Sequence, residues 1–338
     1  MPLRGEPLAG RESQMAKFKV VVTDLGYPTY EHEKKVLEPV GAKLTLATCQ
    51  TEEEVIKACR NADGVLLRSA PMTAHVIDSL EKCRVVARYG VGVDNVDVKA
   101  ATAKRIVVAN VPNYCDDEVS TQAVVLILAL ARKIVSHDRA VRQGAWDIGS
   151  SDPIYRTKGK TLGFVGMGRI GRNTAKKLAP FEMKMIACDP VVKQEQVVDI
   201  GVTMVDFDML LKTSDFVTLH APLMPATRHM IDAKALGKMK PTAYLVNTSR
   251  GGLIDQKALI HALSEKKIAG AGLDVYEVEP LEPDSPLKAL DNCVLTDHAG
   301  WYSEESIVEL QTRAAQAVAA VLSGNRPESV VNPQVYEK

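Results

Sequence analysis

The sequence predicts an α/β protein with two parallel-sheet domains, and three observations predict this fold class. First, apolar β-rich runs alternate with amphipathic stretches in both halves of the chain, as in parallel sheets covered by helices. Second, a glycine-rich turn between a strand and a helix begins only at Gly166, near the middle of the chain. Third, the last helical stretch, 304–322, has an apolar face of small residues that must pack on another element. Because a chain that returns from a second domain usually docks on the first, we expect the second domain to be inserted into a discontinuous first one.

Length, composition and charge restrict the class of protein further. A chain of 338 residues, of which 46% are hydrophobic, is typical of about two domains with ordinary cores. The 42 basic and 42 acidic residues form no long block of one sign, which argues against nucleic acid or membrane partners. The longest apolar run, Ala123 to Ala131, is too short to span a bilayer, and residues 1–7 lack the apolar core of a signal peptide. The six cysteines are scattered without a C-x-x-C pair, so we expect reduced thiols, no metal site and a cytoplasmic location.

The first half of the chain supplies one predicted domain, residues 16–112, which residues 303–338 complete. Residues 1–15 are polar and contain glycine and proline, so we expect a disordered tail. Apolar runs predict strands, and the amphipathic stretches between them predict helices. The predicted strands are 17–23, 64–67, 84–87 and 106–109, and the predicted helices are 52–60, 73–80 and 96–104. A long apolar-rich helix, 116–136, then crosses into the second domain.

The second predicted domain, residues 113–302, repeats the alternation of strands and helices. Its predicted strands are 161–165, 185–189, 216–219, 243–247, 270–275 and 293–296, and its predicted helices are 206–212, 232–239 and 255–264. The alternation favours a second parallel sheet.

The glycine-rich turn at the start of the second domain carries a recognisable chemistry. Gly166, Gly168 and Gly171 have G-x-G-x-x-G spacing, and Asp189 follows at the end of the next strand. In such a turn the first glycine permits the tight bend, the second lets the backbone approach a pyrophosphate, and the third lets the helix pack on the strand. The helix N-terminus offers free N–H groups to the phosphates. Asp189 would accept the ribose hydroxyls and repel the 2′-phosphate of NADP, so the sequence predicts NAD as the cofactor.

Three further polar side chains follow consecutive predicted strands at the same edge of the sheet. They are Arg250, Glu279 and His298, and ligands of open parallel sheets bind outside the carboxyl ends of the strands. Reduction of the C2 carbonyl of a 2-oxoacid needs a carboxylate anchor, a polarised carbonyl and a proton donor. Arg250 offers a planar fork of donors for the first two tasks. His298 is a natural acid and base near neutral pH, which Glu279 would orient and keep protonated.

Each of these residues also has a simpler interpretation. Arg250 alone is typical of a surface or capping arginine, Glu279 lies in a loop rich in acidic residues and proline, and His298 alone is typical of a structural histidine. Their position at one sheet edge, shared with a dinucleotide-binding turn, favours the catalytic interpretation, because catalytic groups gather at such edges.

Together these motifs resemble the D-isomer-specific 2-hydroxyacid dehydrogenase family over nearly the whole chain after residue 16. The resemblance is carried by R-Y-G-V-G-V-D-N-V-D at 88–97, the glycine motif at 160–171, V-N-T-S-R-G-G-L-I-D at 246–255, L-D-V-Y-E-V-E-P at 273–280 and the segment of His298. It implies two flavodoxin- and Rossmann-like domains, the nucleotide-binding domain inserted into a discontinuous substrate-binding domain, with the active site in the cleft. It also implies a homodimer, in which the long helix from Asp116 packs between the subunits.

The resemblance further implies a role for each site residue. Arg250 would bind the substrate, and Glu279 and His298 would form the acid/base dyad. The cofactor would contact Gly166, Gly168, Arg169, Ile170, Gly171, Asp189, His220, Pro222, Thr248, Ser249 and, through its nicotinamide amide, Asp274. The substrate would contact Arg68, Ser69, Arg88, Gly90, Val91, Gly92 and Trp301.

Three residues distinguish branches of the family and leave alternatives open. Arg68 lies in a segment that resembles the phosphate-contacting loop of D-3-phosphoglycerate dehydrogenases, but it is equally consistent with a strand-end arginine that faces solvent. Trp301 lies in a segment similar to the C-terminal-binding-protein branch, where an indole lines the substrate pocket, and interdomain packing is the alternative. Asp297 stands where most of the family has proline, and it either perturbs the titration of His298 or points to solvent.

The sequence therefore predicts an NAD-dependent D-2-hydroxyacid dehydrogenase that acts on hydroxypyruvate, glyoxylate or a phosphohydroxypyruvate-like substrate. An alternative from another functional class is an NAD(H)-responsive interaction protein of the C-terminal-binding-protein type. The complete set of Arg250, Glu279 and His298 favours the enzyme.

Overall fold

The computed structural model of the chain describes residues 16–148 and 153–337. These residues divide into two units: unit 1 extends to Tyr114 and resumes at Ser303, and unit 2 is Cys115–Tyr302. The boundaries expected from the sequence are 112 and 302. The tail expected over residues 1–15 lies outside the described residues.

Unit 1 contains a parallel sheet of five strands covered by helices. Its elements in chain order are β1 (Phe18–Val22), α1 (Glu31–Leu37), β2 (Ala42–Leu46), α2 (Glu52–Cys59), β3 (Gly64–Leu67), α3 (Ala74–Ser79), β4 (Val85–Arg88), α4 (Val98–Ala103), β5 (Val107–Ala109) and, after unit 2, α11 (Glu304–Leu322). The strand order is β2-β1-β3-β4-β5, and every pair is parallel. Every residue of β3 and β5 is buried, as expected for apolar strands that are covered on both faces. This strand order is that of flavodoxin-like sheets.

The last helix of the chain, α11, completes unit 1. It packs on α1, β3 and β4 through a face that includes the buried residues Ala314, Ala317 and Val318. The approach is close, because a Cβ added to Gly64 would lie 2.9 Å from Val318 Cγ1. The small-residue face expected from the sequence therefore covers the sheet of unit 1.

Unit 2 contains a parallel sheet of seven strands. Its elements in chain order are α5 (Asp116–Arg132), α6 (Ile134–Arg142), β6 (Thr161–Val165), α7 (Arg169–Leu178), β7 (Lys184–Cys188), β8 (Val202–Met204), α8 (Phe207–Thr213), β9 (Phe216–Leu219), α9 (Ala233–Leu236), β10 (Tyr244–Asn247), α10 (Gln256–Ser264), β11 (Gly270–Leu273) and β12 (Cys293–Leu295). The strand order is β12-β11-β10-β9-β6-β7-β8. One apolar core involves α5 and α7, and the other involves α8, α9 and α10. This is the order of a Rossmann sheet extended by one strand, so the predicted fold class is confirmed.

Both sheets have a switch point beside their first strand, between β1 and β3 in unit 1 and between β6 and β9 in unit 2. All strands of a parallel sheet end at the same edge, and ligands of such sheets bind there. The residues that follow the strand ends in each unit are therefore the candidate ligand-binding residues of that unit.

The predicted helix 116–136 is wrong in its extent. Helix α5 ends at Arg132 and α6 begins at Ile134, because Lys133 between them has a left-handed backbone with φ 52°. The two helix axes differ by 60°. No glycine or proline marks this position, so the apolar pattern gave no sign of the break. Among the described residues, no single helix is long and apolar enough to cross a membrane. Only α5 and α6 taken together have the necessary length and apolar composition, and they form a bent pair.

Several predicted helices begin one residue too early, because the first residue is an N-cap. The side chains of Thr73, Asp206, Asp232 and Asp255 each accept a hydrogen bond from the N–H group three residues later, as N-cap residues do. Four elements, α1, α6, β2 and β8, were not predicted from the sequence. Strands β2 and β8 lie at sheet edges and are partly exposed, which dilutes the apolar pattern on which the strand assignments depended.

Candidate active site

The glycine loop, residues 166–171, joins β6 to α7 at the switch point of unit 2. Gly166 has a left-handed φ of 93°, and a Cβ there would lie 2.7 Å from the backbone of His220. A Cβ on Gly171 would lie 2.7 Å from the carbonyl oxygen of Gly166, so α7 packs directly against the turn. A Cβ on Gly168 would meet no atom within 4 Å. Open space therefore lies before the first turn of α7, where backbone N–H groups bind anions.

Arg169 and Ile170 begin α7, and Gly168 before them provides no side-chain cap. The side chain of Arg169 pairs with Asp116 of α5, with Nε 2.8 Å from Oδ2. The side chain of Arg169 is therefore held by Asp116. Its backbone N–H group lies in the first turn of α7, where such groups can bind an anion.

Asp189 follows β7 and closes the other side of the glycine loop. Its Oδ2 accepts a 2.8 Å hydrogen bond from Met167 N, and its Oδ1 accepts bonds from Val191 N and Val192 N at 2.8 and 3.2 Å. These bonds fix the carboxylate beside the turn, and its remaining lone pairs can accept hydroxyl groups.

Two buried polar atoms beyond β9 and β10 have no hydrogen-bond partner among the described residues. They are Nδ1 of His220 and Oγ1 of Thr248. The other ring nitrogen of His220 lies 3.1 Å from Thr218 Oγ1, and the ring stacks on Phe164. Loss of hydration lowers the pKa of His220 to about 4, so the ring is neutral at neutral pH. Buried polar atoms normally have partners, so the two unpaired atoms and the open glycine loop fit a bound dinucleotide.

Arg250 follows β10 in a segment that is anchored by its backbone. Asn247 Nδ2 donates to the carbonyl oxygen of Arg250 at 2.9 Å, and Ser249 Oγ donates to Leu219 O at 2.7 Å. The guanidinium Nη1 donates to Ser249 O at 2.8 Å. A Cβ added to Gly251 would lie 1.8 Å from the carbonyl carbon of Tyr276, so only glycine lets this segment reach the loop after β11.

Glu279 and His298 form a direct pair at the same edge. Glu279 Oε2 lies 2.6 Å from His298 Nδ1, and Oε1 accepts a 2.9 Å bond from Tyr276 N. Burial would raise the pKa of Glu279, but the hydrogen bonds from His298 and Tyr276 and the charges of His298 and Arg250 outweigh it. The net effect holds the pKa of Glu279 below its ordinary value. Glu279 is thus a carboxylate that fixes the imidazole and leaves Nε2 available to a ligand.

Asp274 lies at the end of β11 with only 1% of its surface exposed. Its Oδ1 accepts bonds from Thr296 Oγ1 at 2.6 Å and Ala299 N at 3.0 Å, and its Oδ2 accepts one from Gly300 N at 2.9 Å. Gln122 Nε2 of α5 in turn donates to Thr296 Oγ1 at 3.1 Å. Asp274 therefore anchors the segment that carries His298.

The remaining predicted residues of unit 2 lie near this edge. Trp301 is half-buried and stacks edge-on against Tyr302, with ring centroids 5.8 Å apart. Asp297 is exposed, and its charge contributes to the raised pKa of Tyr276, after burial and the charges of Asp274 and Glu279. Pro222 is exposed in the turn after β9, where its carbonyl accepts a 2.7 Å bond from Thr227 Oγ1.

In unit 1, Asp24 after β1 holds the segment Arg68–Ala70 after β3. Its Oδ1 accepts bonds from Ser69 N, Ser69 Oγ and Ala70 N at 2.8–3.1 Å, and its Oδ2 accepts one from Arg68 N at 3.0 Å. The guanidinium of Arg68 packs on Gly26, where a Cβ would lie 2.5 Å from Nη1. Both Arg68 and Ser69 are thus fixed at the carboxyl edge of the sheet.

Arg88 ends β4 at the same edge of unit 1. Its Nε donates to Arg68 O at 3.2 Å, and its guanidinium crosses Gly90, whose φ is 134°. The hydroxyl of Tyr27 nearby is buried without a hydrogen-bond partner among the described residues. Burial raises the pKa of Tyr27, while the charges of Arg68 and Arg88 lower it. Sequence reasoning missed Tyr27, although it follows β1 and the carboxyl-end rule applied to that strand could have found it.

Val91 and Gly92 extend the segment after Gly90. Val91 is 40% exposed, and its carbonyl accepts a 2.6 Å bond from Asn110 Nδ2.

In the described part of the chain, no group of three or more His, Cys, Asp or Glu side chains could hold a metal ion.

Comparisons with known proteins agree with this arrangement. Residues 124–300 match the family model described as D-isomer specific 2-hydroxyacid dehydrogenase, NAD binding domain. The D-3-phosphoglycerate dehydrogenase of Methanocaldococcus jannaschii is 43% identical over 93% of this chain, which spans 59% of that protein. The glyoxylate reductase of Korarchaeum cryptofilum is 41% identical over 85% of this chain and 88% of its own length. The crystal structure of a glyoxylate reductase from Paecilomyes thermophila superposes with a TM-score of 0.85 at 28% identity, covering 95% of this chain and 100% of that one.

The family model covers more than half of the chain, and it lies on the unit that carries the glycine loop. Unit 2 is accordingly an NAD-binding domain, as its open turn and unpaired polar atoms indicate. The chain belongs to the D-isomer-specific 2-hydroxyacid dehydrogenase family.

Proposed function

We propose that the protein is an NAD-dependent dehydrogenase that interconverts a D-2-hydroxyacid and its 2-oxoacid. The observation that carries the proposal is the 2.6 Å pair of Glu279 and His298 at the sheet edge that also bears Arg250 and the glycine loop. The names of the relatives agree with this reaction class.

Each residue of the proposed site has a defined task. NADH, when bound, supplies the hydride for the C2 carbonyl of the oxoacid. Arg250 binds the carboxylate and polarises the carbonyl oxygen through paired N–H donors. His298 donates the Nε2 proton to the same oxygen as the alkoxide forms, and Glu279 stabilises the ring through Nδ1. The reverse reaction uses the neutral imidazole as the base.

The cofactor contacts that we propose follow from the unit 2 geometry. The glycine loop and the first N–H groups of α7 would hold the pyrophosphate, and Asp189 would accept the ribose hydroxyls. His220, Thr248, Ser249, Pro222 and Asp274 would line the rest of the dinucleotide. The unpaired atoms of His220 and Thr248 support this assignment.

Unit 1 would supply substrate recognition through Arg68, Ser69, Arg88 and the segment Gly90–Gly92. Two guanidinium groups and an unpaired tyrosine hydroxyl at one sheet edge favour a substrate with a second anionic group. We therefore expect phosphohydroxypyruvate to be preferred over hydroxypyruvate and glyoxylate. A pocket-lining role of Trp301 would instead favour an apolar oxoacid such as 4-methylthio-2-oxobutyrate.

We also propose a cytoplasmic homodimer. The segment 125–148 of unit 2 bears a group of exposed apolar side chains, of which Trp146 is 90% and Ile148 80% exposed. Exposed apolar groups of this kind are typical of protein interfaces. All six cysteines are thiols rather than disulfides, which supports a reducing compartment.

The test is NADH oxidation with glyoxylate, hydroxypyruvate, phosphohydroxypyruvate and 4-methylthio-2-oxobutyrate in parallel. We expect His298→Ala to lower kcat by on the order of 10²- to 10⁴-fold, because it removes the proton donor. Arg250→Ala should also raise KM for the oxoacid by about 100-fold, because two charge-assisted hydrogen bonds are lost.

The control is His261→Ala, since His261 lies on α10 and its ring contacts Lys267 rather than any of the site residues. Near-normal turnover of both site variants with every oxoacid would refute the assigned roles. NADH binding without oxidation of any substrate would favour the NAD(H)-responsive interaction protein instead.

A further inference from the structure

A second carboxylate–imidazole pair, Glu277 with His229, lies in unit 2 next to the Glu279–His298 pair. His229 Nε2 contacts Glu277 Oε1 directly. The other carboxylate oxygen accepts a 3.2 Å bond from Gln256 N, and Glu277 N donates to Gln256 Oε1 at 3.2 Å. We call these two side chains the His229 pair. The reaction proposed above gives neither of them a task.

His229 belongs to the connection between β9 and α9, which is bonded to the segment after Arg250. His229 N donates to Gly252 O at 2.9 Å, and Ile231 N donates to Leu253 O at 3.1 Å. His229 itself has a left-handed φ of 52°. Its backbone is therefore fixed to residues 250–253, which we call the arginine segment. Its side chain reaches the loop after β11, which contains Glu277 and Glu279 and which we call the glutamate loop.

The backbone of Glu277 lies where the arginine segment and the glutamate loop touch. Gly251 packs on the Tyr276–Glu277 peptide, because a Cβ there would lie 1.8 Å from Tyr276 C and 2.4 Å from Glu277 N. The N–H group of Tyr276 in turn donates to Glu279 Oε1 at 2.9 Å. A displacement at Glu277 would thus reach both Arg250 and Glu279.

We infer that His229 and Glu277 are positioning residues that hold the arginine segment and the glutamate loop in register. The inference rests on the proposed function, because it gives the pair a purpose through Arg250 and Glu279. The side chains of the pair are 39% and 26% exposed, and exposed ion pairs contribute little to stability. Displacement of a reacting group by about 1 Å, in contrast, costs on the order of 100-fold in rate. The pair therefore affects turnover more than it affects folding.

The test compares His229→Leu, which removes the contact with Glu277, with His229→Gln, which keeps a side-chain donor. His229→Leu should raise KM for the oxoacid and lower kcat, together reducing kcat/KM by on the order of 10- to 100-fold. KM for NADH and the Tm should stay near the wild-type values. His229→Gln should recover most of the loss, and His229→Leu combined with Glu277→Leu should be no worse than the single variant, because both remove one interaction.

A spectroscopic measurement keeps the inference testable without turnover. A proton on His298 Nδ1 that is hydrogen-bonded to Glu279 should give a downfield NMR resonance, which is assigned by its absence in His298→Ala. We expect this resonance in the wild type and in His229→Gln, and its broadening or loss in His229→Leu. An unchanged resonance together with an unchanged kcat/KM in His229→Leu would overturn the positioning role. A fall in kcat/KM that parallels a fall in Tm would overturn it as well. Absence of oxoacid reduction by the wild type would refute the proposed function alone. The resonance would still show whether the His229 pair affects the contact between Glu279 and His298.

Discussion

Asp189 combines two tasks at the scale of a single residue. Its carboxylate accepts three backbone N–H bonds, from Met167, Val191 and Val192, and so holds the glycine loop and the turn after β7 together. In the proposed function the same carboxylate would accept the ribose hydroxyls of the cofactor. Choice between the two nicotinamide cofactors would then depend on a group that also shapes the loop.

Asp189→Ala should lower kcat/KM with NADH and raise the NADPH/NADH efficiency ratio by about tenfold, a change of about 1.4 kcal/mol. The physical reason is the loss of a hydroxyl acceptor together with the loss of repulsion toward the 2′-phosphate. Asp199→Ala is the control, since Asp199 is an exposed aspartate of the same unit, in the turn before β8. Steady-state kinetics with both cofactors measure the ratio, and a wild type that prefers NADPH would contradict the role of Asp189.

The sequence predicted candidate site residues where a general structural rule applied to them. The carboxyl-end rule brings Arg250, Glu279 and His298 to one edge, and the family resemblance gives them roles. Tyr27 was missed because the carboxyl-end rule was not applied to β1, and His229 was missed because a lone histidine in a loop has no pattern in the sequence. Only the folded structure brings Arg68 near Tyr27 and Glu277 into contact with His229.

At the scale of elements, the segment that begins at Arg250 depends on one glycine. Gly251→Ala should reduce kcat/KM by on the order of 100-fold, because the new Cβ would force the segment away from the Tyr276–Glu277 peptide and displace Arg250. The matched control is Gly252→Ala, whose Cβ would lie 3.1 Å from Leu223 Cδ2, a side-chain atom that can move. Kinetics with the best oxoacid and circular dichroism of both variants are the measurements. Equal activity of the two variants would exclude a special role for Gly251.

Elements were predictable from the sequence wherever burial was strong. The central strands β3, β6, β9 and β10 are nearly all buried and follow the apolar runs. The break at Lys133 was not predictable, because no glycine or proline marks its left-handed backbone in the sequence. Early helix starts at Asp206 and Asp255 arose because an N-cap residue precedes the helix that it stabilises.

At the scale of the whole molecule, the exposed apolar group of segment 125–148 is the feature that a second copy of the chain would cover in the proposed homodimer. Changing Val141 and Trp146 together to glutamate should convert a dimer into a monomer, because like charges would oppose burial of the contact. The control is Val198→Glu, which is 63% exposed on the same unit outside that segment. Sedimentation velocity gives the mass, and a dimer that persists in the double variant would place the contact elsewhere.

The contact of Gln122 with the segment of Thr296 and Gly300 has a consequence for how the chain folds. Gln122 lies near the beginning of unit 2 and Gly300 near its end, yet a Cβ on Gly300 would lie 3.2 Å from Gln122 Cγ. Unit 1 is made of two stretches that all of unit 2 separates, and closing so long a loop costs conformational entropy. A folded unit 2 brings its own entry and exit together, so it acts as a short tether that raises the effective concentration of α11 near the sheet that it covers.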